Sequence, residues 1–209
     1  MSDRLSLVRG YVLAGGASSR FGADKALAEL QGKSMLARTA EVVSSVCSDV
    51  AVVAAEDKAS GAKLRTVPDR WPSQGPLGGI LTALLDAKDK LGNEAWILVV
   101  SCDMPFLTSD WLRFLAERAI ESGAEAVVPK SAEGWEPLCA CWKTSTMEIV
   151  LPNFEAGTRK ITEALNVLRV EVLDEKDWKR FDSSGRLFWN MNTMVDYEEV
   201  RRVIAAETT

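Results

Sequence analysis

Histidine is absent from all 209 residues, and that absence excludes more chemistry than any motif adds. Neither a Ser-His-Asp nor a Cys-His nucleophilic site can be assembled, and a catalytic metal held by imidazole goes with them. The four cysteines, Cys47, Cys102, Cys139 and Cys141, form no C-x-x-C pair. With no histidine to complete a mixed ligand set, structural zinc is not expected, and the thiols read as small core residues. Long apolar runs are missing too. The stretch 96–100 is far too short to cross a bilayer, and the N-terminus, with Asp3, Arg4 and Arg9 around a brief apolar patch, lacks a signal-peptide core. A cytoplasmic location without membrane attachment is the expectation. The net charge of −5 argues against broad binding to nucleic acid, so any anion must be gripped locally.

Composition is otherwise ordinary, with 47% hydrophobic and 26% charged residues. That is enough for one substantial core, and a single domain over residues 1–209 is expected. Acid–base roles fall to Asp, Glu or Lys. Nucleotidyl and phosphoryl transfer suit that restriction, because they depend on positioning and on charge stabilisation by Lys, Arg and Mg²⁺.

Residues 13–25, LAGGASSRFGADK, form a glycine-punctuated turn with two cations behind an apolar run beginning at Val8. Gly15 and Gly16 let the backbone approach an anion closely, so that consecutive N–H groups point inward as a nest. Arg20 and Lys25 add full charge, one as a planar fork and the other as a movable point. The spacing is neither that of a Walker loop nor the G-x-G-x-x-G of a dinucleotide fold.

Along the chain, strands are expected at 8–14, 50–55, 64–67, 96–101, 124–129, 137–142 and 167–173. Between them lie helices carrying Leu36, Ala40, Val43 and Cys47, then Ile80, Leu81, Leu84 and Leu85, then Leu112, Leu115, Ala116 and Ala119. Gly123 is placed to cap the third. Helical segments at 146–151 and 159–165 and a last helix capped by Thr193 complete the set. This alternation predicts an α/β fold, a three-layer Rossmann-like arrangement with a mostly parallel sheet and helices on both faces. Ligands in such folds sit beyond the carboxyl ends of the strands.

Asp103, in SCDMP after the most apolar strand, either holds a hard cation such as Mg²⁺ or merely opens a turn. Asp69 and the small-residue segment that includes Gly78 either receive a base or ribose, or form a plain loop before a helix. Asn190 and Asn192, two apart in extended chain, face one side and could bind a heterocycle or phosphate; alternatively Asn192 and Thr193 only cap the last helix. Arg159 and Lys160 are a second anion patch or a solvated helix surface. Trp71, Trp135 and Trp189 flank these loops, and burial in packing is the expected role of each.

Taken in order, LAGGASSRFGADK, VPDRWPSQGPLGGI, SCDMPF, EPLCACW, AGTRKI and FWNMNTMVDYEEV resemble the molybdenum cofactor guanylyltransferase family, within the nucleotide-diphospho-sugar transferase type of fold. The resemblance runs along most of the chain. It implies that Leu13, Ala14 and Gly15 contact the nucleotide and that Arg20 and Lys25 hold its triphosphate. Asp69 then belongs to the nucleotide side, Asp103 binds Mg²⁺, and Asn190 and Asn192 help receive the pterin. The implied reaction transfers GMP from GTP to the terminal phosphate of molybdopterin and releases pyrophosphate. The implied partners are those two substrates and an acceptor molybdoenzyme or its chaperone. Members often carry an Asn after the second strand that assists base recognition, where this chain has Ala54-Ala55-Glu56, and a Pro where Met194 stands. Alternatives are a cytidylyltransferase on the same pterin, a sugar- or polyol-phosphate nucleotidyltransferase, and a GTP-binding module that presents the cofactor without turnover.

Overall fold

The computed structural model describes residues 4–15, 25–55, 64–182 and 184–207. The strands are β1 (Val8–Leu13), β2 (Glu29–Leu30), β3 (Lys33–Ser34), β4 (Val50–Ala54), β5 (Arg65–Pro68), β6 (Trp96–Ser101), β7 (Ala126–Ser131), β8 (Gly134–Trp135), β9 (Cys139–Lys143) and β10 (Val170–Leu173). The α-helices are α1 (Met35–Ser44), α2 (Pro76–Leu91), α3 (Ser109–Glu121), α4 (Met147–Glu155), α5 (Ile161–Leu165), α6 (Glu175–Trp178) and α7 (Met194–Glu207).

The main sheet has the order β10-β7-β9-β6-β1-β4-β5, with β8 paired to β7. Its pairs β1–β4, β1–β6, β4–β5 and β7–β10 are parallel. Only β9, against β6 and β7, and the short β8 run the other way. The mostly parallel sheet expected from the alternation is therefore present, with one reversed strand in its interior.

Side chains leave each strand on alternate faces, and the two faces bury different helices. Val12, Val52, Leu98 and Val100 pack with Leu36 and Val43 of α1 and with Leu112, Leu115 and Ala116 of α3. On the other face Tyr11, Leu13, Val53 and Val99 pack with Leu77, Ile80 and Leu84 of α2 and with Val150 and Phe154 of α4. These are the three layers. A smaller cluster of Leu30, Met35, Met191, Val200 and Ile204 docks α7 against the β2–β3 hairpin.

Helix starts follow local chemistry. Ser34 Oγ accepts from the N–H of Ala37 at 3.2 Å, and Thr108 Oγ1 from that of Trp111 at 3.3 Å. Thr193 and Asp196 cap α7 reciprocally: Asp196 N–H donates to Thr193 Oγ1 at 3.2 Å, while Asp196 Oδ2 accepts from Thr193 N–H at 2.7 Å. The expected glycine cap of α3 is not used. The N–H of Ser122 closes that helix onto the carbonyls of Arg118 and Ala119, in extended backbone that needs no left-handed residue.

One ion cluster ties α2 to the sheet. Tyr11 Oη donates to Asp86 at 2.6 Å, and Arg65 and Lys90 converge on the same carboxylate. Burial pushes the Asp86 carboxyl up, but the hydrogen bonds from Arg65, Tyr11 and Lys90 outweigh it and hold the group at about 2.

Candidate active site

The parallel register aligns three strand ends in one row. Leu13 stands beside Val53 on one side and Ser101 on the other, and Asp69 follows β5 directly. These residues, with Gly15, Ala55, Leu138 and the start of α2, line a cleft of about 540 Å³ beyond the carboxyl ends of the strands. The N-terminus of α2 opens onto the cleft through Gly75 and Pro76, so the positive end of its dipole faces any bound anion.

The loop between β5 and α2 is held from both ends. Asp69 N–H donates to Ala54 O at 2.8 Å, and Asp69 Oδ1 accepts from the N–H of Trp71 at 3.0 Å and lies 3.1 Å from the Thr82 hydroxyl. Thr82 Oγ1 in turn accepts from Arg70 N–H at 3.1 Å. Ser73 and Gly75 take φ of 65° and 84°, a conformation that favours glycine and marks a sharply turned loop.

The loop is shorter than its glycines suggest. Pro76 presets the helical φ and needs no N–H partner at the first position, so α2 begins there and Gly78 and Gly79 fall inside its first turn. A Cβ on Gly78 would lie 3.0 Å from Trp71 Cβ and 3.1 Å from Trp71 O, so the absent side chain admits the loop backbone. Gly79 is the one that lines the cleft.

Asp103 lies two residues beyond β6, is half-buried, and is not among the residues that line the cleft. Its carbonyl accepts from Met191 N–H at 2.9 Å, which brings the Asn190–Asn192 segment to the same turn. Met191 is fully buried between the two asparagines, as alternation in extended chain requires. Asn190 Nδ2 donates to Phe188 O at 3.1 Å, and the N–H of Asn192 to Asp196 at 2.8 Å. Gly16 and Arg20 lie outside the described residues, and of Lys25 only the backbone is described, at the start of a short 3₁₀ turn.

Arg159 and Lys160 do not line the cleft. The Arg159 guanidinium lies 4.1 Å from the Phe154 ring centre and donates to the carbonyls of Phe154 and Thr158, closing α4, while Lys160 is exposed beside Glu163. Phe154 meets Trp71 edge-on at 5.6 Å. Trp189 stacks on Phe106 at 5.7 Å, and Trp135 packs beneath Lys130. All four cysteines are buried and free, and burial pushes the Cys47 and Cys139 thiols up to about 12, where they are inert as nucleophiles.

Leu138 escaped the reading of the sequence. Its carbonyl accepts from Ser101 N–H at 2.8 Å, which fixes it at the cleft floor. Pro137 does not begin a strand; residues 136–139 form a turn closed by Cys139 N–H on Glu136 O at 3.0 Å. The sequence signal was the Pro ahead of an apolar run, which suits a turn as well as an edge. Glu136 beside it is buried, and burial pushes its carboxyl up to about 6 although the Ser131 hydroxyl donates to it at 2.6 Å.

Residues 10–172 match the family described as the MobA-like NTP transferase domain. The chain belongs to that family. It is 34% identical over 206 residues to the molybdenum cofactor guanylyltransferase of Desulfosudis oleivorans, covering 97% of this chain and 98% of that one. It is 31% identical to a probable molybdenum cofactor guanylyltransferase of Pelotomaculum thermopropionicum, over 92% of this chain and 91% of the relative. The crystal structure of molybdopterin-guanine dinucleotide biosynthesis protein A from Archaeoglobus fulgidus superposes with a TM-score of 0.82 at 25% identity, covering 95% of this chain and 99% of that one. As a MobA-like transferase the chain is a nucleotidyltransferase. Among the described residues no helix is long and apolar enough to cross a membrane, and no group of three or more Cys, Asp or Glu could hold a metal.

Proposed function

We propose that this nucleotidyltransferase moves GMP from GTP to the terminal phosphate of molybdopterin, giving the guanine dinucleotide cofactor and pyrophosphate. The observation that carries this is the cleft at the aligned ends of β1, β4 and β6, which Ser101 lines, with Asp103 two residues further along the chain and the Asn190–Asn192 segment bonded to the same turn. The relatives' names supply the substrates.

In this reading the nucleotide lies along Leu13, Ala14, Gly15 and Asp69. Gly16, Arg20 and Lys25 take the triphosphate, and Gly78 lets the loop close over the base side. Asn190 and Asn192 receive the pterin. Asp103 is a hard-oxygen donor just past the end of β6, which suits Mg²⁺, an ion that needs only one or two carboxylates beside phosphate oxygens and water. Bound there, Mg²⁺ would neutralise charge on the phosphates. The chain's own cations would lower the repulsion between two anionic substrates, and the rate gain would come from holding the α-phosphorus against the incoming phosphate. That phosphate is already anionic at neutral pH, so no strong base is required. The reaction belongs to the cytoplasm, with an acceptor molybdoenzyme or its chaperone as the recipient.

Calorimetry with GTP and Mg²⁺, followed by pyrophosphate release on adding molybdopterin, tests this. CTP binding in preference to GTP would reassign the base, and binding without pyrophosphate would leave only a presenting module.

A further inference from the structure

A second concavity, of about 290 Å³, opens on the other face of the sheet at the same edge. Its walls come from α1, from the β2–β3 hairpin and from residues 104–107, which directly follow Asp103. Ser101 therefore lines the nucleotide cleft and Met104 lines this pocket, with Asp103 between them along the chain.

Its charges do not balance internally. Glu41 is taken by Lys33, with both carboxylate oxygens 2.8 Å from the ammonium. Arg38, one turn earlier on α1, has no hydrogen bond or ion pair among the described residues, and its Nε is shielded from solvent with no acceptor. Buried donors almost always find a partner, and those on a guanidinium find oxyanions best, because the fork matches two oxygens at once. Gln31 and the Thr39 side chain lie on the same walls and can add neutral hydrogen bonds.

We infer that Arg38 anchors a second oxyanion pocket, which takes a phosphoryl group on the α1 side of the Asp103 turn. The inference rests on the proposed function for its choice of phosphoryl over carboxylate, since that reaction handles phosphate monoester and pyrophosphate beside Asp103. Both sources share the chemistry, and experiment separates them.

The test uses the full-length protein labelled with ¹⁵N-arginine, whose Arg38 Nε–H signal is identified by its loss in Arg38→Lys. Sodium pyrophosphate or inorganic phosphate is titrated without nucleotide, against sodium chloride at matched ionic strength. A saturable shift of the Arg38 signal by either phosphate is expected. Arg38→Lys should weaken pyrophosphate or phosphate binding about tenfold, as loss of a charge-assisted fork does, with no fall in melting temperature in the absence of anion. Glu41→Gln, which releases Lys33 into the pocket, should tighten it. If the natural occupant is the acceptor's phosphate, Arg38→Lys raises KM for the acceptor and leaves KM for GTP alone. If it is the departing pyrophosphate, the variant raises the inhibition constant of pyrophosphate and neither KM. An Arg38 signal that moves no more with either phosphate than with chloride overturns the pocket. GTP binding measured on the same sample stays independent of that outcome, so the pocket can fail while the proposed function stands.

Discussion

The main-chain N–H of Met191 donates to the carbonyl of Asp103 at 2.9 Å, so the turn carrying the candidate metal carboxylate and the segment carrying both asparagines are one mechanical unit. Met191 also fills the cluster of Leu30, Met35, Val200 and Ile204. Truncating it should therefore act through packing on the segment proposed to receive the acceptor. Met191→Ala is expected to cost about 2–5 kcal/mol of stability by urea denaturation. It should also raise KM for the pterin more than KM for GTP in steady-state assays. Equal effects on both would show that the segment serves the whole site.

Asp103→Asn keeps volume and removes charge. Loss of an electrostatic contact of about 3 kcal/mol in the transition state corresponds to a fall of roughly two decades in kcat. Measured as pyrophosphate release, the defect should shrink as Mg²⁺ is raised. A variant with wild-type turnover at low Mg²⁺ would remove Asp103 from the metal.

Adjacent glycines should respond oppositely to alanine. At Gly79 the new Cβ meets Leu13 side-chain atoms at 3.5 Å, an ordinary contact, and the helix gains up to about 1 kcal/mol of propensity. At Gly78 it meets Trp71 Cβ at 3.0 Å and Trp71 O at 3.1 Å, so the loop backbone must shift at a cost of about 1–3 kcal/mol. Denaturation midpoints should rise or hold for the first and fall for the second, which should also bind GTP more weakly.

Glu136 makes the fold sensitive to pH. Its native carboxyl titrates at about 6 against an ordinary 4.5, so the folded state holds the proton more tightly than the unfolded one. Below the ordinary value both states are protonated and nothing is lost. As pH rises from there through the native pKa, stability falls by roughly 2 kcal/mol, at the usual value per pKa unit, and the deficit persists above it. Glu136→Gln should therefore raise the melting temperature at pH 8 and leave it unchanged at pH 4. A gain of equal size at both would assign the effect to packing.

Several elements were plain in the sequence because one physical signal governed them. Residues 96–100 are buried on both faces and read as a continuous apolar run, and Leu112, Leu115, Ala116 and Ala119 keep helical spacing because α3 buries only one side. The direction of β9 was hidden, since an apolar run reads the same whichever way its neighbours point. The β2–β3 hairpin was hidden because each strand has only two residues, leaving no alternation to see; its Gln31–Gly32 turn takes φ of 51° and 75°. Gly78 was assigned to a loop because paired glycines read as punctuation, whereas Pro76 at the first helical position decides the boundary. The approach of the asparagines to Asp103 depends on a main-chain bond across 88 positions of chain, which no local pattern records.

The reversed course of β9 has an evolutionary consequence. The step from β1 to its parallel neighbour β4 runs through α1, which a long insertion would disturb, but β7 turns back toward β9 through the β7–β8 hairpin, whose tip is at residues 132–133. Lengthening that tip breaks no ladder and threads no helix, and added chain there carries little closure penalty. Growth at that one spot can therefore reshape the surroundings of the sheet edge while the aligned ends of β1, β4 and β6 are inherited intact.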